Sequence, residues 1–133
     1  MKGKLIYGVA AISLLLAEVP AIAHHSFAAE FDENKPVKVE GVVTSMRWSN
    51  PHAWLYLDVK DPDGKVAHWS FELGGLNGLY RQGWRKEDLL AGTDVIVDGF
   101  LSRTDAHVGN SQSITLPDGR KLFAGSAPPK GEK

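Results

Sequence analysis

Five histidines, two methionines and no cysteine leave nitrogen as the main transition-metal ligand in this 133-residue chain. Two of the histidines, His24 and His25, follow Ala21-Ile22-Ala23, a small-x-small sequence of the kind signal peptidase cuts. Cleavage after Ala23 makes His24 the first residue, and its free amine and imidazole form a compact chelate. One further imidazole gives three nitrogens in a plane, a geometry suited to Cu(II) or Ni(II) and known in other exported proteins as a histidine brace. His25, His52 and His107 can each supply that third nitrogen on residue type. A cut after Ala21 instead gives Ile22-Ala23-His24, which binds Cu(II) through the amine, two deprotonated amides and the third-position imidazole. Met1 and Met46 are too few for a thioether Cu(I) site, and without thiolates a closed structural zinc site is not expected.

The second chemical stretch is Trp48-Ser49-Asn50-Pro51-His52-Ala53-Trp54-Leu55-Tyr56-Leu57-Asp58. From Ala53 onward the pattern alternates. Leu55, Leu57 and Val59 take one side, while Trp54, Tyr56 and Asp58 take the other, the period of a half-buried strand. Asn50-Pro51 initiates a turn, so His52 stands where a loop enters the sheet. The next strand puts Ala67, Trp69, Phe71 and Leu73 inward and His68, Ser70 and Glu72 outward. The outer face of the two strands therefore collects Trp54, Tyr56, His68 and Glu72 as a candidate ligand surface, with His52 at its mouth. Trp54 and Tyr56 each offer an apolar face and a polar tip for stacking on a sugar or flat ligand. The competing role for these rings is to lie under an N-terminal arm anchored by Phe27 and Phe31. For His52 the competing role is a hydrogen bond that fixes the Asn50 turn. His68 reads as a solvent-facing strand residue and His107 as an inert loop residue.

Catalysis is not expected. Ser26 beside His25 lacks a third orienting group. Asp58 and Glu72 read as a solvated face, and Gly74-Gly75 precedes no lysine motif of a phosphate loop.

Positioning these residues requires a small β-rich domain. Lys2 and Lys4, the apolar run Leu5 to Leu16 and the small residues before His24 make residues 1–23 a signal peptide, with a retained membrane anchor as the alternative. Residues 24–36 read as an arm, 37–125 as the folded domain, and 126–133, with Pro128 and Pro129, as a disordered tail. Within the domain, strands are predicted over Val37 to Trp48, Ala53 to Lys60, Lys65 to Leu73 and Asp94 to Leu101. Residues 74–92 form short helical pieces, residues 102–110 a polar loop, and a last hairpin turns at Pro117-Asp118-Gly119. Gly41 inside the first strand marks a bend, which lets one strand pair with two neighbours. Three strands, a helical connection and two or three more strands is the order of an OB-fold, a five-stranded, partly open Greek-key barrel. An open β-sandwich is the competing architecture. In an OB-fold, ligands lie on the face of strands two and three, between the loops that here hold His52 and His107.

Loss of the leader removes Lys2, Lys4 and Glu18, so the mature chain sits near −2 and carries no basic excess for nucleic acid. Without cysteine no disulfide framework forms. Export without cysteine suits a bacterial periplasm, and no second apolar stretch predicts a membrane span.

Ala23-His24-His25-Ser26-Phe27, the Trp48 to Trp54 stretch, Gly83-Trp84 and Pro117-Asp118-Gly119-Arg120 together resemble a family of small exported proteobacterial proteins classed as a domain of unknown function. In that family, mature chains begin His-His-Ser-Phe and a Trp-Thr-Asn-Pro-His-like stretch follows the first strand. Ser49 stands here in the threonine position. The resemblance covers nearly the whole mature chain and implies export and one small domain, with no activity attached. The residues therefore predict a periplasmic OB-fold binding protein. It would take a divalent metal such as Cu(II) at His24, His25 and His52, or an envelope glycan, peptide or protein through the outer strand face.

Overall fold

Alternating valines and a mid-strand glycine carry the chain through its longest strand, β1 (Phe31–Arg47). The computed structural model describes residues 27–125. A four-residue helix, α1 (Phe27–Glu30), leads into β1. Then come β2 (Trp54–Lys60), β3 (Val66–Glu72), α2 (Leu76–Arg81), a single 3-10 turn (Lys86–Leu89), β4 (Asp94–Ser102), β5 (Val108–Thr115) and β6 (Lys121–Phe123). The signal peptide, His24, His25 and the tail expected from the sequence lie outside the described residues.

The strands pair in the order β3-β2-β1-β4-β5-β6, and a parallel contact between β3 and β5 closes the ring. Closure selects the barrel over the open sandwich. With three strands before the helical connection and two after it, the ring has OB-fold order. One strand serves two neighbours as the sequence requires. The first part of β1 pairs with β4, the second with β2, and Val42 stands opposite both Asp94 and Asp58. The register break towards β2 falls between Val43 and Ser45, two residues past the glycine expected to mark it, and Gly41 instead serves a close approach to β2. A Cβ there would lie 2.7 Å from the Asp58 carbonyl oxygen.

Faces follow the alternation. Leu55, Leu57, Phe71, Val43, Val97 and Ile114 are at most 1% exposed and fill the barrel. The cross-strand register sets Leu55 opposite Phe71 and Leu57 opposite Trp69, so the outer face sets Trp54 opposite Glu72, Tyr56 opposite Ser70 and Asp58 opposite His68. The α2 segment closes one end with Leu79. Trp84 follows it, fully buried, with its indole N–H donating to the Phe123 carbonyl at 2.8 Å.

Two strand starts differ from the sequence pattern. β1 begins at Phe31, not Val37. Phe31 is buried and pairs with Ser102, and a register break before Pro36 accommodates the polar run between them. β5 begins at Val108, inside the stretch expected to be loop, because residues 108–110 pair with β3 while Gly109 and Asn110 also pair with β4. Gly109 makes that approach possible, since a Cβ there would lie 2.7 Å from the Phe71 ring.

Candidate functional site

The corner between β1 and β2 is held from several sides. Ser49 Oγ donates to the His52 carbonyl at 2.6 Å, and the Leu76 backbone N–H donates to Asn50 Oδ1 at 2.9 Å. Ala53 and the end of β3 exchange backbone bonds, Ala53 N–H to the Gly74 carbonyl and Leu73 N–H to the Ala53 carbonyl. Gly75 sits so close beneath that a Cβ would lie 2.8 Å from both Asn50 Oδ1 and the Pro51 carbonyl oxygen. The Trp48 ring is parallel to that of Tyr80 at 6.2 Å, and the Arg85 guanidinium lies 5.9 Å from the Tyr80 ring centre.

This corner fixes the His52 imidazole. Its Nδ1 is 3.2 Å from the Leu73 carbonyl oxygen and 3.5 Å from Glu72 Oε1. A carbonyl only accepts, so Nδ1 carries the proton, and in the neutral ring Nε2 keeps its lone pair. The turn bonds expected of His52 are made by Ser49 and Asn50 instead, while the His52 ring bonds the Leu73 carbonyl just past β3. Its side chain is 30% exposed, enough to meet a solute, whereas Glu72, expected on a solvated face, is buried where β3 pairs with both β2 and β5.

A cleft of about 480 Å³ opens beside it, lined by Glu30, Arg47, Ser49, Asn50, Pro51, His52, Trp54 and Glu72. A neighbouring depression of about 350 Å³ shares Glu30, Trp54 and Glu72 and adds Ala29, Phe31, Ser102, Thr104 and Val108. The arm thus borders the Trp54–Glu72 end of the outer face, and its Phe27 ring packs elsewhere. Phe27 packs against Phe31 at 5.5 Å and edge-on against Phe100 of β4 at 5.6 Å. Ala29, Glu30 and Phe31 line the depression at the Trp54–Glu72 end, and Glu30 also lines the His52 cleft.

Of the residues singled out from sequence, His52, Trp54 and Glu72 come together in this cleft. Tyr56 and His68 lie further along the same face. His68 Nδ1 is 2.6 Å from Asp58 Oδ1, an exposed pair remote from the cleft lining. His107 packs on Trp69 with ring centres 5.1 Å apart, and its carbonyl accepts the Ser70 N–H. It seams β3 to β5 and does not line the His52 cleft. His24 and His25 lie outside the described residues. Among the described residues, no group of three or more His, Cys, Asp or Glu side chains is arranged to hold a metal ion. Glu30 and Arg47 line the cleft without a sequence signal, because a charged residue in an arm or on a strand face has no diagnostic spacing. A larger groove of about 550 Å³, lined by Glu40, Gly41, Val42, Asp58, Lys60, Val66 and Asp94, carries no histidine.

The Pro117 to Arg120 stretch is structural. Arg120 bonds Asp88 Oδ1 at 2.8 Å and Asp118 Oδ2 at 2.7 Å, while Asp88 Oδ2 accepts the Arg85 backbone N–H. The Arg120 backbone N–H, and then its guanidinium, hold the Asp118 carboxyl below its usual 3.8. The bonds to Asp88 and Asp118 push the guanidinium above its ordinary value.

Fold and cleft define a small OB-type barrel with an open cleft at the corner between β1 and β2. The chain belongs to a family of unknown function (DUF6152), whose model matches residues 11–111. No curated protein and no solved structure matches it.

Proposed function

We propose that this is an exported, periplasmic binding protein that captures a divalent transition metal, Cu(II) foremost, at the mouth of the His52 cleft. The supporting observation is the fixed imidazole. His52 Nδ1 faces the Leu73 carbonyl and the Glu72 carboxylate, the outer-shell arrangement that orients a metal-binding histidine and raises the basicity of its other nitrogen. The remaining ligands are the amine and imidazole of His24, with His25 as a further donor. Reach supports the pairing. Glu30 lines the cleft, and six residues of chain span at most about 21 Å, so His24 is tethered within that distance of it. The protein is assigned no catalytic role.

The test is mass spectrometry of the processed terminus followed by copper titration of that protein. A chain starting at His24 that takes up one equivalent of Cu(II) with nitrogen ligation supports the proposal. A terminus downstream of His25, or no uptake at stoichiometric copper, removes it. A terminus at Ile22 with binding indifferent to His52 shifts the site to the third-position mode.

A second reading has one observation in its favour. Trp54 is half-buried on the outer face, with Glu72 opposite it, the pairing of stacking surface and polar group that recognises a glycan or peptide. An envelope protein docking on the same face is its variant. Quenching of tryptophan fluorescence by envelope glycans in the presence of chelator, lost in Trp54→Ala with the fold intact, identifies that mode.

A further inference from the structure

We propose that the groove over Val42 and Val66 is a docking site for an extended cationic segment of a partner protein. The aliphatic stems of its lysines or arginines lie on the two valines, and their charged heads face Glu40, Asp58 and Asp94. The groove, of about 550 Å³, shares no lining residue with the His52 cleft, so its occupancy is independent of the copper proposal. Its floor is apolar on the solvent side of the sheet. Val42 is 39% and Val66 48% exposed, two of the four large apolar side chains left exposed among the described residues. Val42 and Val43 are neighbours in β1, so they face opposite sides. Val43 fills the barrel, and Val42 takes the solvent side.

Carboxylates surround that floor. Asp58 and Asp94 stand opposite Val42 in the strands on either side of it, and Glu40 is two residues away on the same face of β1. Lys60 is the one lysine in the lining. None of the ion pairs among the described residues uses Glu40, Asp94 or Lys60, while Asp58 pairs with His68. A lysine or arginine suits both parts of this surface at once, since its stem covers aliphatic surface and its head stays with the carboxylates. An acidic segment is repelled by the same three groups, which restricts the partner to a basic one. A chain fits the spacing better than a single side chain does. Val66 lies two strands across from Val42 and two residues along the sheet, roughly 12 Å at about 4.8 Å per strand and 3.3 Å per residue. An extended segment covers that distance in about four residues.

The experiment titrates the full protein into two short dye-labelled peptides and follows fluorescence anisotropy at low salt and at about 0.2 M salt. One peptide alternates lysine with valine, and the other has glutamate in place of each lysine. The lysine peptide is expected to bind, to weaken as salt rises, and to bind about tenfold more weakly to a Glu40→Gln, Asp94→Asn double variant. Val42→Thr keeps the β-branched shape but puts a hydroxyl on the floor, and should weaken binding with an unchanged circular dichroism spectrum. His52→Ala should leave binding as it is. Equal binding of the two peptides, no binding, or unchanged affinity in the double variant or in Val42→Thr overturns the proposal, and so does a loss of binding in His52→Ala. Spermine bound as tightly as the lysine peptide reassigns the groove to free polyamines. A dimer seen by sedimentation without peptide, and lost in the double variant, reassigns it to a second copy of the chain. Either of these results overturns the partner-protein assignment.

Discussion

The His52 ring is specified by what lies on one edge of it. A carbonyl and a carboxylate face Nδ1, so the opposite nitrogen is the basic one in the neutral ring, as a metal ligand requires. His68 and His107 show the contrast, the first in an exposed pair with Asp58 and the second packed on Trp69. Sequence already sets the three apart, with His52 at the mouth of the face, His68 facing solvent and His107 in a loop. It does not supply their partners, because those depend on the residues that β3 and β5 bring alongside. Acid titration probes another pair. Arg120 holds the Asp118 carboxyl low, so the ionised form favours the folded state. That contribution is complete above the unfolded value near 3.8 and disappears as pH falls through the lower folded value. Carbon-detected NMR titration should show Asp118 titrating below 3.8, and Arg120→Ala should return it toward that value.

Elements carry the next layer. The strictly alternating strands, β2 and β3, were legible from residue spacing alone, because Leu55 and Leu57, and Trp69 and Phe71, recur every second residue. The start of β5 was not. Val108, Gly109, Asn110 and Ser111 have no hydrophobic period, and their strand character comes from pairing, Val108 with β3, Ser111 with β4, and Gly109 and Asn110 with both. The start of β1 was hidden in the same way by the polar run after Phe31. The α2 segment predicts a large stability effect. Trp84 is fully buried and its indole N–H is bonded, so Trp84→Ala should destabilise the barrel by about 3–5 kcal/mol, read by urea denaturation. Gly75→Ala tests the corner. Its methyl would meet Asn50 Oδ1 and the Pro51 carbonyl, so a loss of about 1–3 kcal/mol is expected from overpacking. The same variant should weaken Cu(II) binding, because the backbone that sets the His52 ring must move. Unchanged melting and unchanged affinity in that variant would show the corner to be more compliant than its contacts imply.

At the scale of the molecule, ring closure through β3 and β5 turns a β-rich sequence into a barrel and gives strands two and three a defined outer face. The order of elements made that architecture readable, and the outward Trp54 and Glu72 made the face readable. The cleft was not, since Glu30 lines it from an arm that Arg103 bonds at the Ala28 and Glu30 carbonyls. A small charged residue set distributed over an arm, a strand end and a loop leaves no periodic trace. The central claim is that the processed terminus and His52 bind one Cu(II) together. Electron paramagnetic resonance at one equivalent of copper tests it most directly, comparing the wild-type protein with His52→Ala. The account predicts a nitrogen-rich spectrum in the wild-type protein that loses one nitrogen coupling in the variant, with affinity reduced about 10- to 100-fold. Identical spectra and affinities in the two proteins, or no bound copper in either, would contradict it.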